Sequence, residues 1–456
     1  MKNYFCFLLF FPLIVNAQQP FSDFSPMDYA WKYIGVEAFS QWQVGYTSIA
    51  LNANDEPYVA FRDGKNSDKA TVMKFQGANW EIVGNAGFSA GGTNCTDLTF
   101  SPSGQPYVTY ADGGNYGKAT VMKFDGTTWV NVGAPGFSAG SVQFTNIAFS
   151  PTGIPYVTYE DWGNSYKATV MKFDGTNWIN VGPAGFSQGR VQSTSIAFNP
   201  VDSLPYVAFQ DWGNASKATV MKFNGTQWVT VGEAGFSAGI AGYTSLAFRS
   251  SGQPYVAYED WQNSHKASVM KFDGTHWISV GNAGFSEDQA LFTTLAINSS
   301  GQPYVAFRDD ANVFRATVMK FNGLSWVNVG KAGFSSSDAD FVTLALSSTG
   351  VPYVAFSDNA YIGKASVMKY DSVYMGIHEQ RDLQISILPN PTTDKILLGT
   401  AQQGYISILN LGGQQFLEQE ISIPTTTIDV TALARGVYIA KIACVKSIQI
   451  GKFVKQ

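Results

Sequence analysis

Residues 145–182 read TNIAFSPTGIPYVTYEDWGNSYKATVMKFDGTNWINVG, and this stretch decides the fold. It contains four short alternating or apolar runs, at 145–149, 155–159, 168–173 and 178–182. The turn sequence Ser-Pro-Thr-Gly joins the first two runs, and Asp-Gly-Thr joins the last two, where glycine adopts positive φ cheaply. Such runs are typical of β-strands, and helical periodicity is missing. The stretch therefore predicts four antiparallel strands.

The same pattern recurs seven times at a spacing of 49 or 50 residues. The motif Pro-Tyr-Val-(Ala/Thr)-(Phe/Tyr) begins at Pro57, Pro106, Pro155, Pro205, Pro254, Pro303 and Pro352. The motif (Lys/Arg)-Ala-(Thr/Ser)-Val-Met-Lys begins at Lys69, Lys118, Lys167, Lys217, Lys266, Arg315 and Lys364. A Trp followed four residues later by Gly stands at Trp31, Trp80, Trp129, Trp178, Trp228, Trp277 and Trp326. Three series in phase exclude chance and indicate one repeated structural unit.

A four-stranded unit of about 45–50 residues has the size of one β-propeller blade. Its first two strands resemble the inner hairpin of WD-repeat propellers, although the Gly-His and Trp-Asp signatures of that family are absent. The resemblance places the first strand innermost and the Trp strand outermost. We expect the Trp series to pack between neighbouring blades.

The two ends of the repeat array predict how the ring closes. The chain enters at Trp31, on an outer strand without its own blade, and leaves at Tyr370, after a third strand that no Trp strand follows. Residues 31–35 are therefore expected to supply the fourth strand of the seventh blade, which removes an open sheet edge. An open solenoid is the alternative, but it requires polar caps that the sequence lacks.

These observations predict an all-β protein, a seven-bladed β-propeller followed by a small C-terminal β-sandwich. The apolar run that ends in Val-Asn-Ala predicts a signal peptide at residues 1–17. The rest of the chain is expected to divide into a lead-in at 18–30, the propeller at 31–370, a linker at 371–382 and a β domain at 383–456.

The amino-acid composition limits which functions and partners are expected. Charged residues make up 14% and the formal net charge is −5, without clusters of Lys or Arg. Nucleic acid is therefore not an expected partner. The mature chain keeps only two cysteines, in different domains, so no disulfide framework is predicted. We expect no transmembrane span after signal-peptide cleavage, and a monomer.

The C-terminal domain contains four motifs: ILPNPTTD at 387–394, ISILNLGG at 406–413, IDVTALARGVY at 428–438 and GKFVKQ at 451–456. Together they resemble the C-terminal sorting domain (type A) of type IX secretion substrates. The residues that match this pattern are Asn390, Pro391, Asp394, Gly413, Gly436, Tyr438 and Lys452. The resemblance implies an outer membrane, the secretion machinery as partner, and release or attachment at the cell surface. An ordinary accessory β-sandwich is the alternative.

Every repeat carries an aspartate two residues after the second-strand aromatic: Asp63, Asp112, Asp161, Asp211, Asp260, Asp309 and Asp358. Seven identical acids invite a metal or catalytic interpretation. However, catalysis normally requires one acid and one base in different roles. We interpret the seven as structural residues that cap a turn and pair with the Lys or Arg six residues later. No catalytic residue, metal ligand or cofactor is assigned.

Residues that differ between repeats are better candidates for binding. Trp162, Trp212 and Trp261 follow the aspartate in three consecutive repeats only, with Asn164, Asn214 and Asn263 two places on. The loops between the second and third strands are expected on the variable face of the propeller. A loop Trp beside an amide suits stacking on a sugar ring or a protein contact. Coverage of the blade edge, or recent duplication, is the alternative.

Five aromatic residues directly precede the inner strands: Tyr46, Phe144, Tyr243, Phe292 and Phe341. We expect them to pack in the core; the alternative is that they line the mouth of the pore.

Three functions remain open from the sequence. The first is a non-catalytic propeller that binds glycan or protein through the Trp loops. The second is a polysaccharide-active glycosidase or lyase, because propellers host such enzymes and acids such as Glu160, Glu259, Glu287 and Asp288 are expected on the loop face. The third is a structural or adhesive surface protein. Enzyme signature motifs and metal-binding histidine spacings are missing.

Overall fold

The computed structural model describes residues 27–374, 386–399, 404–411, 413–421, 425–444 and 448–456. The expected signal peptide, and the expected linker from residue 375 onward, lie outside the described residues. The chain forms two compact units, one over Tyr29–Ser372 and the other including Val373–Gln456.

The first unit consists of seven four-stranded antiparallel sheets, which we number as blades 1 to 7. The first strands are Val44–Leu51, Thr93–Phe100, Val142–Phe149, Val191–Phe198, Ala241–Phe248, Ala290–Ile297 and Ala339–Leu346. The second strands are Pro57–Asp63, Pro106–Asp112, Pro155–Asp161, Pro205–Asp211, Pro254–Asp260, Pro303–Asp309 and Pro352–Asp358.

The third strands are Lys69–Gln76, Lys118–Phe124, Lys167–Phe173, Lys217–Phe223, Lys266–Phe272, Arg315–Phe321 and Lys364–Tyr374. The fourth strands of blades 1 to 6 are Asn79–Ile82, Trp129–Asn131, Trp178–Asn180, Trp228–Thr230, Trp277–Ser279 and Trp326–Asn328. Each second strand is joined to its third by a 3₁₀ helix: Gly64–Asn66, Gly113–Asn115, Trp162–Asn164, Trp212–Asn214, Trp261–Asn263, Asp310–Asn312 or Asn359–Tyr361.

The middle strands of each blade are buried on both faces because other blades cover them. In blade 3, Val157 and Val170 have essentially no exposed surface, and they belong to the apolar clusters on the two sides of that blade. Fully buried strands read as apolar runs, which explains the nearly continuous Tyr-Val-Thr-Tyr and Ala-Thr-Val-Met sequences. The seven-bladed prediction is confirmed.

The Trp series joins neighbouring blades around the ring. Trp178 donates its indole N–H to the Val132 carbonyl of the previous repeat at 2.6 Å and stacks on Phe137, with ring centroids 4.4 Å apart. The other six tryptophans make the equivalent hydrogen bond, from Trp80 to Ile34, Trp129 to Val83, Trp228 to Val181, Trp277 to Val231, Trp326 to Val280 and Trp31 to Val329. Each indole is therefore an inter-blade contact.

The N-terminal strand Met27–Tyr33 is the fourth strand of blade 7, next to Lys364–Tyr374. This strand begins at Met27, four residues before Trp31, where the sequence analysis placed its start. Trp31 stacks on Phe334 at 3.9 Å, and the Ile34 N–H donates to the Val367 carbonyl at 2.9 Å. The first and last parts of the repeat array thus share one sheet, and the ring is closed.

The second unit is a sandwich of two sheets around one apolar core. One sheet has the order Ser386–Leu388, Lys395–Gly399, Thr425–Asp429. The other has the order Gln415–Ile421, Gly404–Asn410, Gly436–Cys444, Ile448–Lys455. Ile396 and Ile428 of the first sheet share the core with Ile406 and Phe453 of the second, all without exposed surface. The predicted β-sandwich is confirmed.

Candidate functional site

The loop face, defined as the end of the blades that carries the seven 3₁₀ helices, is built on the repeated aspartates. In blade 3, Asp161 Oδ1 accepts the Gly163 N–H at 3.0 Å. Its Oδ2 accepts the Asn164 amide and the Thr169 hydroxyl, each at 2.8 Å. A buried carboxylate is stable here because three donors surround it. It fixes the start of the 3₁₀ helix as an N-cap does.

The aspartates of the other blades are buried in the same way, although Asp309 lacks the bond to a helix N–H. Among the residues that the structure describes, none of them forms an ion pair with the Lys or Arg six residues later. That part of the sequence interpretation is wrong, since the hydrogen-bond donors of the turn satisfy the carboxylates, except for Asp309, whose Oδ1 is buried without a partner.

The three asparagines singled out with the tryptophans hold the turn. Asn164, Asn214 and Asn263 each donate a side-chain N–H to the capping aspartate of their own blade at 2.8–2.9 Å. Asn66, Asn115 and Asn312 do the same in blades without a loop Trp. The amides are therefore already engaged, and the indoles are the groups that the loops present to solvent.

Trp162, Trp212 and Trp261 are the first residues of their 3₁₀ helices, and 44%, 50% and 47% of their surface is exposed. Their backbone N–H groups donate to the carbonyls of Ser141, Arg190 and Ile240, at 3.0–3.1 Å. Each indole is thus exposed while its backbone is fixed against the loop that leads into the inner strand of the same blade. Exposed, positioned indoles on adjacent blades are suited to ligand contact.

Between blades 3 and 4 four planar groups form a continuous row, which we name the planar row: Trp162, Tyr166, Arg190 and Trp212. The Trp162 and Tyr166 rings are 5.2 Å apart. The guanidinium carbon of Arg190 lies 5.2 Å from the Tyr166 ring and 5.0 Å from the Trp212 ring. Both distances are within the range of a cation–π contact.

Beneath the planar row lies Glu160, whose side chain has no exposed surface. Arg190 Nε donates to Glu160 Oε1 at 3.1 Å, while 38% of the arginine side chain remains exposed. Glu160 Oε2 is buried without a hydrogen-bond partner. Burial raises the pKa of Glu160 to about 7, although Arg190 opposes the shift.

Blade 5 has a different arrangement at the equivalent place. Trp261 lies 4.5 Å from the His265 ring, and His265 Nδ1 is 2.8 Å from Glu259 Oε1. Gly242 faces Glu259, and a Cβ at that glycine would meet Glu259 Oε2 at 2.4 Å. The glycine therefore makes room for the carboxylate beside the inner strand.

An axial cavity of about 320 Å³ runs between the inner strands. Three consecutive residues of every blade line it, beginning at Tyr46, Cys95, Phe144, Ser193, Tyr243, Phe292 and Phe341. Each of these seven residues sits in a β-bulge with φ between +47° and +54°. The five aromatic members therefore line the cavity, the alternative that the sequence analysis favoured less, and Phe292 also packs against the apolar core between blades 6 and 7.

Hydroxyl groups connect the blades around this cavity. The threonine after the bulge donates to the bulge carbonyl of the preceding blade, in the pairs Thr47 to Phe341, Thr96 to Tyr46, Thr145 to Cys95, Thr194 to Phe144, Thr244 to Ser193 and Thr293 to Tyr243. Blade 7 has Val342 at this position and cannot make the contact. These bonds satisfy partly buried backbone carbonyls.

Asp97 is the acid that lines this cavity. Its carboxylate accepts the Ser48 hydroxyl at 3.0 Å, the Asn146 amide at 2.5 Å and the Ile147 N–H at 2.9 Å. Burial raises the pKa of Asp97 to about 6, although these bonds oppose the shift. Sequence reasoning missed this residue, although Asp replaces the Ser, Thr or Asn of the other repeats.

The residue before each repeated aspartate differs from blade to blade: Arg62, Ala111, Glu160, Gln210, Glu259, Arg308 and Ser357. Arg308 donates to Asp340 of blade 7 at 2.6 Å and lies 5.6 Å from the Phe292 ring. The side chains of the loop face therefore differ chemically between blades, although the backbone structure of the blades repeats. Among the described residues no group of three His, Cys, Asp or Glu side chains is arranged to hold a metal ion.

In the C-terminal unit, the sorting-motif residues support the sandwich. Asn390 donates to the Lys452 carbonyl at 3.0 Å and accepts from the Val454 N–H at 2.9 Å. Tyr438 is buried and donates to the Ala434 carbonyl at 3.0 Å, near Gly436, the first residue of its strand. The Asp394 carbonyl accepts from the Val430 N–H, and Gly413 has φ of +83°. Pro391 follows a cis peptide bond.

Residues 386–456 match the family described as the secretion system C-terminal sorting domain. The sequence-based identification of this domain is confirmed. A tail of this family directs export by the type IX secretion system to the cell surface or the extracellular space, and so implies contact with that machinery. No curated protein matches the chain.

Several solved structures are similar at low identity. The polysaccharide lyase PL25 ulvan lyase is 11% identical with a TM-score of 0.48, over 75% of this chain and 95% of that one. PorZ, a surface component of the type IX secretion system of Porphyromonas gingivalis, is 14% identical with a TM-score of 0.45, and the match covers 91% of this chain and 60% of the PorZ chain. The Aleuria aurantia lectin is 15% identical with a TM-score of 0.43, and the match covers 65% of this chain and 97% of the lectin chain. Likenesses at this level say nothing of what this chain binds.

The described part of the chain contains no helix of sufficient length and apolarity to cross a membrane.

Proposed function

We propose that the protein is an exported, non-catalytic glycan-binding propeller that presents its ligand site on the loop face. The observation that carries this proposal is the set of three half-exposed indoles at equivalent positions of blades 3, 4 and 5. The signal peptide expected at residues 1–17 and the C-terminal sorting domain support passage through both membranes, followed by release or attachment at the cell surface.

A glycan fits this face better than a protein partner. The indoles lie on separate blades and do not form one apolar patch, because Arg190 lies between Trp212 and the Trp162–Tyr166 pair, and His265 lies beside Trp261. Protein interfaces bury an apolar core, whereas sugars need isolated aromatic faces with polar groups beside them. Arg190 and His265 supply such polar groups.

Replacement of Trp162, Trp212 and Trp261 by Ala together is expected to weaken glycan binding at least about tenfold, because each aromatic contact contributes about 0.5–1.5 kcal/mol. The measurement is a glycan array followed by titration calorimetry on the strongest ligand. Tyr116→Ala is the matched control, since Tyr116 is 90% exposed and follows the blade 2 helix. The proposed ligand would be a protein instead of a glycan if the wild type bound nothing on the array and a protein partner of the wild type were lost in the triple variant.

The unequal acids of the loop face support a second candidate function, cleavage of a polysaccharide. Glu259 and His265 form a pair 2.8 Å apart, and Glu259 also acts electrostatically on the Tyr243 hydroxyl at the axial cavity. A carboxylate and an imidazole in contact can exchange protons with a substrate as an acid–base pair.

If the pair is catalytic, the wild type should release soluble fragments from a polysaccharide that it binds, and Glu259→Gln should reduce the rate at least about 100-fold. Fragment release is measured by reducing-end assay and by absorbance of unsaturated products. The control is Gln210→Asn at the equivalent position of blade 4. Binding without fragment release would leave the non-catalytic function standing.

A further inference from the structure

The planar row differs from the surroundings of Trp261 in being continuous. Trp162, Tyr166, Arg190 and Trp212 succeed one another at 5.0–5.2 Å, and they span the junction between blades 3 and 4. A ligand that covers all four groups must extend along the loop face. A single terminal sugar would cover only one or two of them.

Arg190 is the positive charge within this row. Its Nε is bonded to Glu160, while more than a third of the side chain is exposed. Glu160 is a poor counter-ion because its carboxyl has no contact with water and one of its oxygens has no hydrogen-bond partner. Burial without full hydrogen bonding disfavours the charged carboxylate. The guanidinium therefore retains positive charge toward solvent.

We propose that the planar row binds an extended polysaccharide chain that carries an acidic group, a carboxylate or sulfate, paired with Arg190. This inference rests on the proposed glycan-binding function and gives it a ligand class. Guanidinium groups form charge-assisted, often bidentate hydrogen bonds with such anions. The flanking indoles and the Tyr166 ring supply stacking faces for sugars on either side of the acidic unit.

Ionisation of Glu160 is expected to control this binding. Two groups act electrostatically with Glu160: Arg190 on the following loop and the Cys95 thiol on the inner strand of blade 2. Its cross-strand neighbours, Gln143 and Ala168, carry no charge. The pKa of Glu160 is about 7, so the carboxyl is neutral below that pH and charged above it. The charged form competes with the ligand for Arg190, so affinity should rise as the pH falls from 8 to 6.

The test is an array of acidic and neutral polysaccharides, followed by calorimetry with oligosaccharides of increasing length from the strongest ligand. We expect an acidic ligand, affinity that rises with length, and affinity about five- to tenfold higher at pH 6 than at pH 8. Arg190→Gln should weaken binding about 10- to 100-fold. Glu160→Gln should raise the affinity at pH 8 and remove the dependence on pH.

The matched control is Arg249→Gln. Arg249 also lies over an aromatic ring, 5.1 Å from that of Tyr255, but in a turn at the opposite end of blade 5. Thermal unfolding of each variant separates loss of binding from loss of the fold. A strongest ligand that is neutral, or binding that Arg190→Gln leaves unchanged, overturns this inference while glycan binding stands. An array on which the wild type binds nothing overturns both.

Discussion

Replacement of Trp178 by Ala is expected to lower the free energy of unfolding of the propeller by about 3–5 kcal/mol. The indole is buried, stacks on Phe137 at 4.4 Å and donates its N–H to the Val132 carbonyl at 2.6 Å. The substitution removes the apolar contact area, leaves a cavity between blades and deprives a backbone carbonyl of its donor. Urea unfolding followed by tryptophan fluorescence and circular dichroism measures the change.

The matched control is Trp162→Ala in the same blade. Because Trp162 is half-exposed at the start of a 3₁₀ helix, its loss should change the stability by less than about 1 kcal/mol. Equal effects of the two substitutions would show that the repeated tryptophans do not hold adjacent blades together.

Deletion of residues 383–456 is expected to abolish delivery of the propeller to the cell surface or medium and to leave it in the periplasm. The reason is that the sorting domain is contained within this segment. Fractionation of cells that express the full chain or the shortened chain measures the distribution between periplasm, surface and medium.

Two controls make this result specific. The shortened propeller should unfold at the same urea concentration as in the full chain, because Tyr29–Ser372 forms its own compact unit. Asn390→Ala, which removes two hydrogen bonds to the last strand, should reduce export without affecting the propeller. Normal surface delivery of the shortened chain would contradict the sorting role of this segment.

The repeat made most of the fold predictable, because a fixed spacing identifies equivalent strands without knowledge of any contact. Pro155 and Lys167, for example, mark the first residues of the second and third strands of blade 3 as the motifs placed them. The β-bulges could not be predicted in this way. Residues such as Phe144 and Tyr243 adopt positive φ there without being glycine, so composition carries no signal for the bulge.

The candidate site was predicted only in part. The loop tryptophans stood out because they break the repeat, but the Arg190–Glu160 pair did not, since the two residues are 30 positions apart and belong to different repeats. In the sandwich, the strand Gln415–Ile421 carries little strand signal in its sequence. Gln415–Ile421 is mostly exposed and contains two glutamates and two glutamines, so it lacks a clear alternation of apolar and polar residues.

The closed ring also constrains when the protein can fold. Trp31 and its acceptor Val329 are 298 positions apart, so the last sheet is completed by the earliest part of the propeller to be synthesised. The entropic cost of joining such distant segments is met only after all seven repeats exist, and contacts of this range slow folding. A chain emerging from the ribosome therefore cannot close the ring until its final repeat has been synthesised.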